Sequence, residues 1–318
     1  MIVCTRNRPE LLEQCLRALS AQPCPGFDVL VVDNAPGEAV RRICEHWQAG
    51  WIAATSPGLT KARNIGARST SADLVAYIDD DAVPEPGWLD ALVRPFDDPA
   101  VGAVTGRIRY MQAVGDTRVM SEQASDDPFQ RPRATFDRAA PGWFSNACLG
   151  GIGDGGNMAF RRAALISAGG FDERLGRGQA IDGGDEHVAF ATILASGARI
   201  WHEPEAVVRH PFPADKALQR AWHYANLRTS IAYLLFLWGE YPPHRTSLAK
   251  FIAQAVFRRL VPAFGRRAGG VRVANRSGLA ALASGVRLYL MARRNVLAAR
   301  RERNPVRAAL VEQNSATH

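Results

Sequence analysis

Cysteine is scarce and scattered: the five residues stand at positions 4, 15, 24, 44 and 148, and none forms a Cys-x-x-Cys pair. That excludes a zinc-ligand pattern and a disulfide framework, and a reducing compartment fits best. No run reaches the roughly 20 apolar residues that a membrane-spanning helix needs. The N-terminus has no basic segment followed by a long apolar stretch, so no signal peptide is expected. Together these absences predict a cytoplasmic protein. Acidic residues run short in the last third. Residues 213–318 carry 4 Asp+Glu against 18 Lys+Arg, whereas residues 1–212 carry 27 against 21. The net charge of +8 therefore belongs to the C-terminal part. No helix-turn-helix, aromatic stacking platform or zinc signature accompanies that charge, so no nucleic-acid partner is expected.

What remains is the composition of a folded protein, with 318 residues, 47% of them hydrophobic and 22% charged. One large domain with an appendage is the expected size class. Residues 1–5 read as a short strand and residues 9–21 as an amphipathic helix, with Pro9 in its first turn. Residues 29–32 form a second buried strand ending at Asp33 and Asn34. A helix over 37–48 and a strand near 51–54 follow. This β-α-β-α rhythm predicts a doubly wound α/β fold with a mostly parallel sheet. Further helices are expected over 87–96, 162–168 and 186–197, with strands over 101–106 and 198–202. Residues 112–147 are poorly periodic and long for a connection, which marks a functional or mobile loop.

The centre of the chain is Leu74-Val75-Ala76-Tyr77-Ile78-Asp79-Asp80-Asp81. The apolar half reads as a buried strand. Three carboxylates at its end cannot all lie unpaired in a dry core. Either they form a solvated acidic turn, or a divalent cation holds them at the strand's carboxyl end, where open α/β sheets bind ligands. Upstream, Lys61 and Arg63 fall near a helix N-terminus, an end that prefers anions. Cations there make sense beside an anionic ligand such as a phosphate.

These features fall in a familiar order. Val3-Cys4-Thr5-Arg6-Asn7-Arg8-Pro9, Val31-Val32-Asp33-Asn34, Ala62-Arg63-Asn64-Ile65-Gly66 and Ile78-Asp79-Asp80-Asp81 come first. Gly156-Asn157-Met158-Ala159-Phe160-Arg161, Gly169-Gly170-Phe171-Asp172-Glu173, Gly183-Gly184-Asp185-Glu186 and Val207-Val208-Arg209-His210 follow. In this order and spacing the chain resembles the inverting family 2 glycosyltransferases, which have the GT-A fold. The resemblance covers about residues 1–212 and implies a catalytic domain of that extent, followed by a basic helical extension over 213–318. It implies that Thr5, Arg8, Asp33 and Asn34 line the base and ribose pocket of a nucleotide-sugar, and that Arg63 and Asn64 lie against the nucleotide. Asp79 or Asp80 would face the ribose. Asp81 and His210 would bind Mn²⁺ or Mg²⁺. Glu186 falls on the position of the catalytic base, although relatives commonly read Glu-Asp where this chain reads Asp185-Glu186, so Asp185 stays a rival. Lys61 and Arg63 would help stabilise the leaving diphosphate. Gly156 and Asn157 would shape the floor of an acceptor site, and Trp143, beside Phe144, would cover an acceptor sugar or pack in the core.

The implied activity is metal-dependent transfer of a sugar to a glycan or lipid-linked acceptor, as in polysaccharide biosynthesis for the cell envelope. Two other readings stand beside it. A nucleotidyltransferase would want a glycine-rich phosphate loop after the first strand, which Thr5-Arg6-Asn7-Arg8-Pro9 lacks. A non-catalytic sugar- or lipid-binding relative need not keep both the metal and the base positions. In the last third, helices are expected over 215–239, 247–264 and 277–299. Their apolar faces and arginine clusters fit peripheral association with an anionic membrane, or packing on the catalytic domain with a basic outer face.

Overall fold

The computed structural model describes residues 1–54, 56–114, 119–121, 131–212, 215–260 and 275–301. In chain order the first half runs β1 (Ile2–Thr5), α1 (Pro9–Ser20), β2 (Leu30–Asp33), α2 (Glu38–His46), β3 (Gly50–Ala53), α3 (Leu59–Arg68), β4 (Leu74–Asp79), β5 (Val83–Pro84), α4 (Trp88–Val93) and β6 (Val101–Val114). Then come β7 (Val119–Ser121), β8 (Ala134–Phe136), α5 (Trp143–Cys148), β9 (Asn157–Arg161), α6 (Arg162–Ser167), α7 (Asp185–Ala195), β10 (Arg199–Phe212), α8 (Lys216–Glu240), α9 (Arg245–Leu260) and α10 (Asn275–Arg301).

Helix α1 shows how the pattern becomes structure. Leu12, Cys15, Leu16 and Leu19 recur at i, i+3, i+4 and i+7, and all four are buried. Along the strands the burial period is two. Ile2, Val32, Val75, Tyr77 and Phe160 belong to one apolar cluster, and their neighbours Val3, Val31, Ala76, Ile78 and Ala159 belong to another. Adjacent side chains on a strand point to opposite faces, so the sheet divides the core in two. Helices α3, α5, α6 and α7 cover the first face, and α1, α2 and α4 cover the second.

The strand order is β3-β2-β1-β4-β9-β6-β10-β5. The first four strands are parallel, β9 runs antiparallel between β4 and β6, and β10 lies parallel to β6. The mostly parallel sheet agrees with the sequence rhythm. Strand β9 has no counterpart in it, because four consecutive buried residues, Asn157 to Phe160, show no alternation. Strands β6 and β10 each run 14 residues, far beyond the short segments expected. Of residues 112–147, the part that is described holds β7, β8 and α5. Phe129 and the putting of residues 213–214, 261–264 and 302–318 into any element lie outside the described residues.

The C-terminal helices share the first core. Tyr233, Phe236, Leu237, Tyr241 and Leu248 belong to the same buried cluster as Phe144, Phe171 and Val188. Asp215 caps α8 by accepting from the Ala217 and Leu218 amides at 2.8 and 2.9 Å. At its other end Glu240 is buried and pairs with Arg174 (2.8 Å), which also holds Asp172 (2.6 Å).

Candidate active site

The site forms at the carboxyl edge of the parallel strands, where a doubly wound sheet opens a crevice. A cavity of about 230 Å³ there is lined by Thr5 and Arg8 after β1, Asn34 after β2, Gly58 before α3, Asp79–Asp81 after β4, Arg177 and His210. His210 arrives from 129 positions along the chain because β10 pairs with β5. The register Arg209↔Val83 sets the next residue beside the acidic turn.

Within this turn the three carboxylates separate. Asp80 is 5% exposed and faces β1, accepting from the Thr5 hydroxyl at 2.7 Å and from Arg8 at 3.2 Å. Burial, with Asp81 and Asp79 as like charges, raises its pKa against the pull of Thr5 and Arg8. Arg8 also donates to Asp81 at 3.0 Å, and the other side of Asp81, with Asp79, faces His210. The His210 Nε2 atom lies 3.1 Å from Asp81 and 3.7 Å from Asp79, and one ligand atom from each of the three falls within 4.8 Å of the others. His210 Nδ1 sits 2.9 Å from the Pro211 carbonyl, which only accepts. That bond places the proton on Nδ1 and leaves Nε2 to face the carboxylates.

The electrostatics of this trio favour positive charge, which a protonated imidazole supplies by itself. Burial disfavours charge on His210, yet the two carboxylates outweigh it and push its pKa up to about 10. Burial also opposes ionisation of Asp79, but His210 and Arg63 carry its pKa down to about 2, and His210 lowers that of Asp81. Two carboxylate oxygens and one imidazole nitrogen suit Mn²⁺ or Mg²⁺, with open positions for water and a ligand's phosphate oxygens. Gly156 makes room for this arrangement. A Cβ on it would come 2.6 Å from the Asp79 carboxylate oxygen.

Arg63 joins this end of the site to the acidic pair on α7. It is 4% exposed and donates to Asp185 at 2.7 Å and to the Gly155 carbonyl at 3.0 Å, with Asp79 at 3.8 Å. Asp185 is thus buried and committed to a guanidinium. Glu186 has no such guanidinium partner; the His187 Nε2 atom lies 3.6 Å from its carboxylate. Burial is the main cause that lifts the Glu186 pKa to about 7; Asp185 adds to it, while His187 and Arg63 oppose it. The thiol of Cys4, which also lines the cavity, is pushed by burial to about 12 and so is no nucleophile at neutral pH.

Several expected site residues stand elsewhere. Asp33 is fully buried and accepts from the Ala35 and Gly37 amides, each at 3.1 Å, so it shapes the turn into α2 instead of lining the cavity. Asn34 does line the cavity, while its Oδ1 accepts from the Gly58 amide at 3.2 Å. Asn64 is buried and staples α3 to the loop at 171–173 through the Phe171 backbone and Glu173. Asn157 is fully buried, bonded to the Arg107 and Ala206 carbonyls and to the Trp88 indole N–H, and forms no acceptor floor. Trp143 packs edge-on against Phe144 and His244. Lys61 is half-buried on the first turn of α3 and is absent from the cavity lining. The cavity is lined instead by Arg177, a cation that sequence reasoning missed. The signal was there: Arg177 stands between Gly176 and Gly178, both at positive φ (96° and 91°), in a loop whose carbonyl accepts from the Leu59 amide.

The model for glycosyl transferase family 2 matches residues 1–168, over half of the chain. The chain belongs to glycosyl transferase family 2. Among curated relatives, the pre-mycofactocin glycosyltransferase of Mycobacterium tuberculosis is 29% identical over 191 residues, which cover 59% of this chain and 35% of that protein. The chain thus matches about a third of that relative's length. The succinoglycan biosynthesis protein ExoM of Rhizobium meliloti is 27% identical, covering 69% of this chain and 68% of that one. The glucosyl-dolichyl phosphate glucuronosyltransferase of Haloferax volcanii is 24% identical, covering 66% and 68%. Among solved structures, the mannosyltransferase PcManGT from Pyrobaculum calidifontis, in complex with GDP-Man and Mn²⁺, aligns with a TM-score of 0.56 at 20% identity, covering 99% of this chain and 85% of that one. S. aureus TarS 1-349 in complex with UDP-GlcNAc aligns with a TM-score of 0.54 at 15% identity, covering 100% and 91%. The fold is therefore GT-A.

Proposed function

We propose that this chain transfers a glycosyl group, with inversion, from a nucleotide-diphosphate sugar to a hydroxyl of a glycan or lipid-linked acceptor. One observation carries the reading. A cation-seeking trio, Asp79, Asp81 and His210, shares a cavity with Arg8, Asn34 and Arg177, and Arg63 links it to the paired carboxylates Asp185 and Glu186. In the reaction the acceptor oxygen bonds to the anomeric carbon as the bond from that carbon to the diphosphate breaks. Glu186 takes the hydroxyl proton, and the nucleoside diphosphate leaves with the electron pair. A carboxylate whose pKa lies near 7 is matched to that task. Asp185 holds Arg63, so the base is assigned to Glu186. Arg8 and Arg177 face the departing charge. When bound, Mn²⁺ or Mg²⁺ at the trio supplies Lewis-acid stabilisation of the diphosphate.

Family membership favours glycosyl over nucleotidyl transfer, and the retained trio and Glu186 favour a catalyst over a binding module. The succinoglycan and dolichyl-phosphate relatives support a glycan or lipid-linked acceptor. The test is a thermal-shift panel of uridine, guanosine and thymidine diphosphates and their sugars, with and without Mn²⁺. One base class is expected to stabilise the protein, and only with Mn²⁺. A ligand at 100 times its Kd adds about 2.7 kcal/mol, a shift of several degrees for a chain of this size. A nucleotide that binds Asp81→Ala as well as it binds the wild type, with Mn²⁺ present, would sink the reading.

A further inference from the structure

We propose that the outer face of α10 docks on an anionic lipid bilayer. Helix α10 is apolar on two sides. Ala281, Gly285 and Ala292 are buried, and a Cβ on Gly285 would come 2.7 Å from the Arg228 carbonyl and from Ile231 of α8. The other side faces outward. Leu282, Val286 and Leu290 recur every four residues and are 49%, 38% and 53% exposed, with Met291 at 59%. Scattered exposed apolar residues are ordinary, but a continuous stripe marks a surface that meets something. Exposed Arg287 flanks the stripe, and exposed Arg293 continues it one turn further along.

Charge decides the occupant. Residues 241–301 contain thirteen Lys or Arg and no Asp or Glu. Two copies of a segment with that charge balance repel each other, which disfavours a second chain. Nucleic acid is met by cations and stacking aromatic rings, not by an aliphatic stripe. Aliphatic side chains bordered by arginines, with no acidic residue nearby, match the boundary between headgroups and acyl chains.

The placement also suits the chemistry next to it. Tyr233 and Thr229 of α8 pack against Gly184 and Gly183, the turn that carries Asp185 and Glu186. At about 100° per residue they lie on the side of α8 opposite Arg228 and Ile231, which meet α10. Helix α8 is thus sandwiched between the turn and α10, and the docking face lies about two helix layers, each about 8–10 Å, from Glu186. A bilayer there holds lipid-linked hydroxyls close to the base.

The test is co-sedimentation of the full chain with phosphatidylglycerol vesicles and with phosphatidylcholine vesicles. Binding to the anionic vesicles is expected at low salt, falling sharply at about 1 M salt, where the screening length is about 3 Å. The double substitution R287E/R293E is expected to lower the partition coefficient by about 30-fold or more. The triple substitution L282S/V286S/L290S is expected to lower it by about tenfold or more. All five side chains are exposed, and an unchanged melting temperature confirms that each variant folds. No binding to anionic vesicles at low salt overturns the proposal, as does binding that both variants retain. A concentration-dependent dimer that the triple variant abolishes would reassign the face to a second copy. Vesicle binding needs neither donor nor metal, so its failure leaves the transferase reading standing.

Discussion

At the scale of single residues, the pair Asp185–Glu186 shows what a neighbour does to a carboxylate. Asp185 is buried and Glu186 half-buried at the start of α7, but Arg63 answers Asp185 and nothing equivalent answers Glu186. Glu186→Gln is therefore expected to lower kcat by about 10²–10⁴ with donor affinity kept, read by turnover and by nucleotide binding. The base acts ionised, so wild-type kcat/KM rises as pH climbs through about 7. The Gln variant is expected to lose that limb. Stability carries the opposite sign. A carboxyl whose folded pKa exceeds its unfolded one favours the fold at low pH, and that contribution is lost between about 4.5 and 7. Glu186→Gln is thus expected to stabilise the protein by about 1–3 kcal/mol at pH 8 and little at pH 5, measured by urea unfolding. Gly156→Ala tests the opposite face of the site. The new methyl collides with Asp79 and is expected to weaken Mn²⁺ binding about tenfold or more, read by metal titration. The sequence left Asp33, Asn64 and Asn157 open to misreading. An Asp or Asn at the end of an element serves equally as a ligand or as a staple for backbone amides, and only the partners tell the two apart.

At the scale of elements, β10 matters most. Its register with β5 delivers His210 to a turn made by β4, so the cation site depends on two segments that meet only in the sheet. His210→Ala is expected to remove the Mn²⁺-dependent thermal shift while keeping a cooperative apo melt. Loss of the fold instead would show that the imidazole is structural. The elements legible in advance were the amphipathic ones. Helix α1 carries its apolar side chains at a clear helical period, while α8, α9 and α10 were legible as long runs without strand signals. Strand β9 was illegible because Met158, Ala159 and Phe160 are consecutive apolar residues buried on both faces, with no alternation to mark a period. The extra length of β6 and β10 was hidden by the polar and charged residues that interrupt them, among them Arg107, Glu203 and Arg209.

At the scale of the whole molecule, the expected boundary near residue 212 cuts through a shared core. Tyr233, Phe236, Leu237, Tyr241 and Leu248 close the cluster around Phe144 and Phe171. Burying such side chains is worth about 1.5–3 kcal/mol each. Their combined loss rivals the 5–15 kcal/mol that holds a typical protein folded. A chain ending at residue 212 is therefore expected to be insoluble or to lack a cooperative melt, and a sharp native melt would refute this. The Asp172–Arg174–Glu240 cluster ties the same two parts. Arg174→Ala leaves two buried carboxylates without their cation and is expected to cost about 3–5 kcal/mol, measured by denaturant unfolding. Among the described residues no helix is long and apolar enough to cross a membrane.

The sequence by itself determined the period of the helices, the acidic strand end and the charge split, because these depend on neighbours along the chain. The order of motifs was enough to expect the fold and the set of candidate carboxylates. The tertiary structure decided which partner each carboxylate has. It set Asp80 against Thr5, Arg8 between Asp80 and Asp81, and Asp79 and Asp81 beside His210, gave Asp185 to Arg63, and lined the cavity with Arg177 and not Lys61. Each of these rests on a partner far away in the chain, and a side chain's charge and reach mean nothing definite until that partner is in place.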